Sequence, residues 1–276
     1  MIRRMLLLFA IVGLLSAPSF ADTIYGNNAT NGTPYIFAID SNTGAVLHTY
    51  TNLSGYNGRG VVVVGNIMYY TTAGDGNVYH YDLNTNTDLG VAFTVAGASG
   101  LSSMTYDGHN FWIGDYSGTD KAYLYSPTGA LLKTITLGNC AGNCDGLTYF
   151  LQGGQGRLIS NRFDGGFGGP NAYDVYDTNG NIVQADLFTS NASYSTGIAW
   201  DGTRFFTSDL YGPELSEWSM SGAFLGTLPL SGYSNSVVIE GLSDNFAKTL
   251  TPEPGSIALL GTGLISLIGF ARRRLS

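Results

Sequence analysis

A segment of about 45 residues occurs five times along the chain, and this repeat predicts an all-β fold, a five-bladed β-propeller. Two further observations support the prediction. The repeats consist of short apolar segments separated by glycine turns that are typical of β-hairpins. One strand-like segment also remains without a partner after the fifth copy. A six-bladed propeller and an elongated stack of sheets are the alternative folds.

The most regular part of the repeat is an aromatic strand, a glycine turn and a second apolar strand. Its five copies begin at Tyr35, Val78, Ala122, Ala172 and Leu215. A hairpin marked by Asp-Gly precedes some of these copies, and residues 104–115 align without a gap with residues 198–209. Four strands in each unit of about 45 residues is the pattern of a propeller blade.

The ends of the repeat region indicate how the ring closes. Only residues 23–26 precede Tyr35 as a strand-like segment, so the first copy lacks one strand. Residues 236–241 follow the fifth copy and have no partner of their own. We expect this last segment to become the innermost strand of the first blade, because that pairing would complete five blades and remove an open sheet edge.

The first residues have the pattern of a secretory signal peptide. Arg3 and Arg4 precede an apolar run over residues 5–15, and Ser19-Phe20-Ala21 places small residues at the two positions that a signal peptidase reads. We expect a signal helix within residues 1–21, its removal by signal peptidase, and export of the remaining chain across the inner membrane.

The last residues contain three elements in a fixed order. They are Pro252-Glu253-Pro254, the uncharged residues 255–271, and Arg272-Arg273-Arg274. A helix of this uncharged length reaches about 26 Å, the short limit of a helix that spans a bilayer. The arginines would stay in the cytoplasm, because positive charge resists translocation. We therefore expect a C-terminal transmembrane helix with the body outside.

This order of elements resembles the PEP-CTERM sorting signal of Gram-negative bacteria. The resemblance implies recognition by an exosortase of the inner membrane and cleavage near Pro-Glu-Pro. It also implies a final location at the cell surface or outside the cell, in association with exopolysaccharide and biofilm. An ordinary C-terminal anchor is the alternative. The chain then divides into a signal peptide (1–21), a propeller-like repeat domain (22–250) and a sorting and anchoring segment (251–276).

The charge of the body limits its partners. Outside the terminal signals the chain has 7 basic and 19 acidic residues, a net charge of −12. Such a surface repels nucleic acid, because phosphates require Lys or Arg for neutralisation. Nucleic-acid binding is therefore excluded, whereas cations, neutral glycans and basic envelope proteins remain suitable partners.

Two cysteines, Cys140 and Cys144, are the only ones in the chain. No histidine lies near them in sequence to complete a metal site. Since the exported body reaches an oxidising compartment, we expect these cysteines to form a small disulfide.

One acidic position recurs just after the second strand of successive blades. Its members are Asp75, Asp115, Asp164 and Asp209, with Asn27 or Asn28 in the first copy. In a propeller these connections share one face, so the carboxylates could converge on a hard cation such as Ca²⁺. The alternative is that each aspartate caps its own turn through local hydrogen bonds.

No strong catalytic motif is present, since the sequence lacks a Gly-x-Ser-x-Gly elbow, a His-Glu-x-x-His motif and a phosphate-binding loop that ends in Gly-Lys-Ser or Gly-Lys-Thr. We therefore expect a non-enzymatic module that binds a glycan, a cation or another envelope protein. The alternative is a propeller enzyme, a metal-assisted lactonase or polysaccharide lyase, in which the aspartates hold the metal at the mouth of the channel.

Overall fold

The computed structural model describes residues 23–29, 35–55, 57–98, 100–140, 144–162, 171–192, 194–233 and 238–244. The predicted signal peptide and the predicted sorting segment lie outside these residues. In the part of the chain that is described, every regular element is a strand, and none is a helix long and apolar enough to cross a membrane.

Twenty strands make up the body. They are β1 (Thr23–Asn28), β2 (Ile36–Asp40), β3 (Val46–Tyr50), β4 (Gly58–Val64), β5 (Ile67–Thr72), β6 (Asn77–Asp82), β7 (Thr87–Thr94), β8 (Leu101–Tyr106), β9 (Phe111–Asp115), β10 (Lys121–Tyr125), β11 (Leu131–Thr136), β12 (Leu147–Gln152), β13 (Gln155–Arg162), β14 (Ala172–Asp177), β15 (Ile182–Thr189), β16 (Ser195–Trp200), β17 (Arg204–Asp209), β18 (Glu214–Ser219), β19 (Phe224–Pro229) and β20 (Ile239–Asp244).

The strands form five antiparallel sheets of four, which are the blades of the propeller. From the innermost to the outermost strand the blades are β20-β1-β2-β3, β4-β5-β6-β7, β8-β9-β10-β11, β12-β13-β14-β15 and β16-β17-β18-β19. The prediction of five blades is therefore confirmed. Four blades are built from consecutive strands, and only the first combines strands from both ends of the body.

The ring closes as the sequence predicts, through the last strand. Strand β20 pairs antiparallel with β1, with Ile24 opposite Asp244 and Asn27 opposite Gly241. The backbone of Val238 adds two bonds, since its carbonyl accepts from Ala29 N at 2.7 Å and its amide donates to Asn28 Oδ1 at 3.0 Å. The observed strand begins at Ile239 and ends at Asp244, three residues later than the predicted segment.

The hydrophobic core consists of five clusters, and each cluster fills the space between two neighbouring blades. Adjacent residues of an inner strand belong to different clusters. Val61 packs towards the first blade and Val62 towards the third, because successive side chains of a strand point to opposite faces. The inner strands are therefore apolar on both faces, whereas the outer strands are half exposed.

Candidate functional site

The recurring aspartates lie in the turns after the second strand of each blade, and those described accept hydrogen bonds from their own turn. Asp75 accepts from Asn77 N at 2.9 Å and from the Tyr79 hydroxyl at 2.7 Å. Asp115 accepts from Ser117 N at 2.9 Å and from the Tyr123 hydroxyl at 3.2 Å.

Asp209 repeats this local bonding, since it accepts from Tyr211 N at 3.2 Å. Burial, together with the charge of Asp115, raises the pKa of Tyr123 to about 12. These bonds hold the carboxylates in their turns and require no ion. Asp164 lies outside the described residues. A shared Ca²⁺ site therefore stays a prediction.

Among the described residues, only one group of three His, Cys, Asp or Glu side chains brings its ligand atoms within 4.8 Å of one another. The group consists of Asp120, Cys140 and Cys144. The two cysteines are joined in a disulfide, with a Cα–Cα distance of 5.4 Å, so their sulfurs are not thiolate ligands. The Cys144 carbonyl accepts a hydrogen bond from the Ser102 hydroxyl at 3.2 Å, which connects the disulfide to the neighbouring blade.

The innermost strands all begin at one end of the propeller axis, which we call the charged end. Four of these strands have a polar residue at their second position, Asp145 precedes β12 by two residues, and each of these polar residues is followed by a small one. The polar positions are Arg59, Ser102, Asp145, Thr196 and Glu240, and the small ones are Gly60, Ser103, Gly146, Gly197 and Gly241. In four of the blades the strand register shifts at this point. A β-bulge of this kind re-aims a side chain away from the pleat.

Polar side chains of the second strands hold the bulges in place. The amide of Gly60 donates to Thr71 Oγ1 at 2.7 Å, and the amide of Gly197 donates to Ser208 Oγ at 3.0 Å. A side chain on Gly241 would overlap the backbone carbonyl of Arg59. The innermost strands of neighbouring blades are therefore in backbone contact at this end.

The side chains of the charged end neutralise one another in part. Arg59 forms an ion pair with Glu240, and its guanidinium also lies 4.9 Å from the centre of the Tyr116 ring. Burial raises the pKa of Asp145, and the positive charge of Arg59 partly opposes that rise. The space between these groups is too small to hold a water molecule. This end of the axis is therefore closed.

The opposite end of the axis, where the innermost strands finish, contains a pocket of about 330 Å³. We call it the pocket end. The pocket is lined by Tyr106, Asp107, Gly108, Tyr149, Phe150, Leu151, Trp200, Gly202, Met220 and Asp244. These residues come from four blades, so only the assembled ring forms the pocket. Its volume lies within the range of small-molecule sites in proteins.

Aromatic rings form the floor of the pocket. Phe150 and Trp200 lie with ring centroids 5.8 Å apart, and both pack on Phe205 beneath them. Tyr106 and Tyr149 are partly exposed at the wall. Burial raises the pKa of each tyrosine, and the nearby charge of Asp107 raises it further. Both hydroxyls therefore stay protonated and able to donate at neutral pH.

Two carboxylates lie among these rings, and the described residues of the lining include no Lys or Arg. Asp107 is fixed by its own turn, since it accepts from His109 N at 2.9 Å and from Asn110 N at 2.7 Å. Asp244 is the last residue of β20 and is 5 % exposed. The described lining therefore combines two carboxylate groups with aromatic surfaces.

The sequence predictions did not identify this pocket. The sequence feature that could have indicated the pocket is an aromatic residue directly before an Asp-Gly turn. It occurs in Tyr106-Asp107-Gly108 and Trp200-Asp201-Gly202. These turns served only as hairpin markers in the prediction. The described aspartates of the predicted site, Asp75, Asp115 and Asp209, lie at the opposite end of the axis from the pocket, because the turn after a first strand and the turn after a second strand leave opposite edges of a blade.

The fold defines the class of this protein as a five-bladed β-propeller. A chain in the crystal structure of a nidogen/laminin complex has the same fold, with a TM-score of 0.54 and 9% sequence identity, over 82% of this chain and 99% of that one. A protein of unknown function from Bacteroides caccae, with a TM-score of 0.49 and 10% identity, covers 82% of this chain and 99% of its own. No curated protein is significantly similar to the chain.

The C-terminal segment carries a recognisable sorting motif. Residues 250–274 match the PEP-CTERM protein-sorting motif, which confirms the predicted sorting signal. The motif implies that the protein is exported, anchored in the membrane by its C-terminus and processed by an exosortase. It does not specify what the propeller does.

Proposed function

We propose that this exported propeller is a non-catalytic binding module of the cell envelope or extracellular matrix, and that it binds a sugar unit of an exopolysaccharide in the pocket. The observation that carries the proposal is the pocket itself. It combines tyrosine, phenylalanine and tryptophan rings with two carboxylates at the end of the propeller axis.

Aromatic rings and fixed polar groups are the combination that suits a sugar. The apolar face of a sugar ring packs on an aromatic side chain, while its hydroxyls need hydrogen-bond partners in defined directions. Asp107 and the tyrosine hydroxyls supply such partners. Because Asp107 is held by two backbone amides, its carboxylate is already ordered before a ligand arrives.

The charge of the pocket selects among sugars. The described residues of the lining include two carboxylates and no basic side chain, so we expect the pocket to disfavour a uronic acid and to favour a neutral or amine-bearing unit. An ammonium group would gain from the carboxylates and from the aromatic rings together. The acidic character of the whole body acts in the same direction.

Calorimetric titration of the full chain in detergent micelles tests the proposal with three β-1,4-linked hexasaccharides. They are a neutral glucose oligomer, an amine-bearing glucosamine oligomer and an anionic glucuronate oligomer. We expect the neutral or the amine-bearing oligomer to bind and the anionic one not to bind. Tightest binding of the anionic oligomer, or binding of none of the three, would overturn the assignment.

A matched pair of variants locates the binding. Asp107→Asn removes one pocket charge but keeps an oxygen that can accept the two turn amides. Asp209→Asn makes the same change in a turn at the opposite end of the axis. We expect Asp107→Asn to weaken the amine-bearing oligomer by roughly tenfold and Asp209→Asn to leave it unchanged, a difference of about 1.4 kcal/mol.

The non-catalytic assignment has its own test. The same oligomers are incubated with the protein, with and without Ca²⁺, and then assayed for new reducing ends and for unsaturated products. We expect neither product. Turnover that requires Ca²⁺ and is lost in a variant combining Asp115→Ala and Asp209→Ala would instead support a metal-dependent lyase.

A further inference from the structure

Both ends of the described body leave the propeller at the pocket end. Thr23, the first described residue, begins β1, and Asp244, the last, ends β20. The two strands pair directly, with Ile24 opposite Asp244. Asp244 also lines the pocket, so the described body ends at the pocket, and residues 245–250 separate it from the predicted sorting segment.

Exposed apolar side chains are concentrated at this same end. Ten of the twelve large hydrophobic side chains that are exposed among the described residues lie in the first half of an outer strand or near a turn of the pocket end. They are Leu47, Leu89, Leu131, Leu132, Leu151, Ile182, Val183, Met220, Phe224 and Leu225. Each blade contributes at least one of them. In contrast, Tyr211 is exposed in a turn of the charged end.

The distance between the pocket and the membrane is limited by the sequence. Ten residues, 245–254, separate Asp244 from the uncharged segment that begins at Gly255. Fully extended, they reach about 33–36 Å at most. To turn the charged end towards the membrane, this linker would have to run outward across the four strands of a blade and then along the full length of the outermost strand. That path is about 35 Å or more, so the inverted orientation needs the linker at its limit.

We propose that, while the C-terminus is anchored, the pocket end faces the lipid bilayer, so that the membrane shields the pocket from large polymers. The exposed apolar side chains of the pocket end lie against the membrane surface, and the charged end faces away from it. Separation of the body from its anchor then opens the pocket. The proposed orientation does not depend on what the pocket binds. Only its consequence, that polymer binding begins once the body has left its anchor, rests on the proposed function.

Two exposed residues of similar exposure provide a matched test. Leu151 lines the pocket and is 56% exposed, whereas Tyr211 lies at the charged end and is 64% exposed. The native cysteines are paired in a disulfide, so Leu151→Cys and Tyr211→Cys each introduce a single free thiol. The full-length variants are reconstituted into phospholipid vesicles. Their labelling rate by a polymer-linked maleimide is then divided by the rate for a small membrane-impermeant maleimide.

We expect this ratio to be roughly tenfold lower at Leu151→Cys than at Tyr211→Cys in vesicles, and equal for the two in detergent micelles, a difference of about 1.4 kcal/mol. A Gly/Ser insertion of roughly 30 residues between Leu250 and Thr251, which adds up to about 100 Å of reach, should abolish the difference. Equal ratios in vesicles, or a difference that the insertion leaves unchanged, would overturn the proposal. Because no sugar is used, the result is independent of the glycan assignment.

Discussion

The two ends of the propeller axis are formed by the same innermost strands but by different chemistry. At the charged end, Arg59 pairs with Glu240, and the following glycines let neighbouring backbones touch. At the pocket end, the strands finish in aromatic residues and turns that leave about 330 Å³ open. The comparison teaches that backbone contact between blades and an open cavity occupy opposite ends of the axis. A substitution at one end should therefore spare the property of the other.

The largest effect is expected where the backbones touch. A methyl group on Gly241 would overlap the backbone of Arg59, and backbone cannot move aside as a flexible side chain can. We expect Gly241→Ala to lower the free energy of unfolding by about 3 kcal/mol or more. Chemical denaturation followed by tryptophan fluorescence measures the loss. Gly138→Ala is the control, because a methyl there meets only ordinary contacts with Ile182.

Removal of the Arg59 charge should have the next largest effect. Arg59→Ala leaves Glu240 without its ion-pair partner and removes the positive charge near Asp145. We expect a loss of about 2 kcal/mol at pH 7, below the value for a fully buried pair because Arg59 is partly exposed. Arg157→Ala, which removes an arginine outside the axis, should change stability by less than about 0.5 kcal/mol.

The pH dependence of that loss has a defined sign. The pKa of Asp145 is raised in the folded protein by burial, so its charged form costs stability above that pKa and the cost disappears below it. Without Arg59 the pKa rises further. The Arg59→Ala deficit should therefore shrink as the pH falls from 7 towards 4. A deficit that grows over this range would contradict the arrangement at the charged end.

The disulfide should contribute about as much as the Arg59 side chain. Cys140 and Cys144 enclose a short loop, for which the loss of chain entropy in the unfolded state predicts about 2 kcal/mol. We expect the double variant Cys140→Ser with Cys144→Ser to lose that amount and to keep sugar affinity, since the disulfide lies beside the charged end. An equal loss under reducing conditions in the unmodified protein is the matched check.

The smallest effect is expected in the turns of the pocket end. Asp177 accepts hydrogen bonds from the Asn181 side chain at 2.9 Å and from the backbone amides of Asn181 and Asn179, and these bonds lower the pKa of this exposed carboxyl. Its contribution is present at neutral pH and is lost as the pH falls below the ordinary aspartate value through the lowered one. We expect Asp177→Ala to cost about 0.5 kcal/mol at pH 7 and less in acid. A cost above that of the charged-end variants would contradict the comparison.

The ring could be predicted from the sequence because its signal is local and repeated. Each blade contributes an aromatic strand and a glycine turn at nearly even spacing, and the last strand was identified because the first blade lacked one. The predicted end of that strand was wrong by three residues, since the polar pair Ser243 and Asp244 continues it. Both side chains are buried in the assembled ring, which no local pattern reveals.

The two ends of the axis could not be predicted in the same way. Arg59, Asp145 and Glu240 are distant in sequence and meet only because each lies at or just before the start of an innermost strand. The pocket likewise combines the ends of strands from four blades. The aspartates after the second strands were the more regular sequence pattern, but regular spacing also results when each side chain serves its own turn, as Asp75 and Asp115 do.

Hydrogen exchange with and without a saturating hexasaccharide tests the division between the two ends most directly. We use the oligomer that binds in calorimetry. The account predicts slower exchange on binding in residues 106–110, 149–152 and 200–204, around the pocket, and no change in residues 58–61, 101–104 and 145–147. Protection confined to the second set of residues, at the charged end, would contradict it.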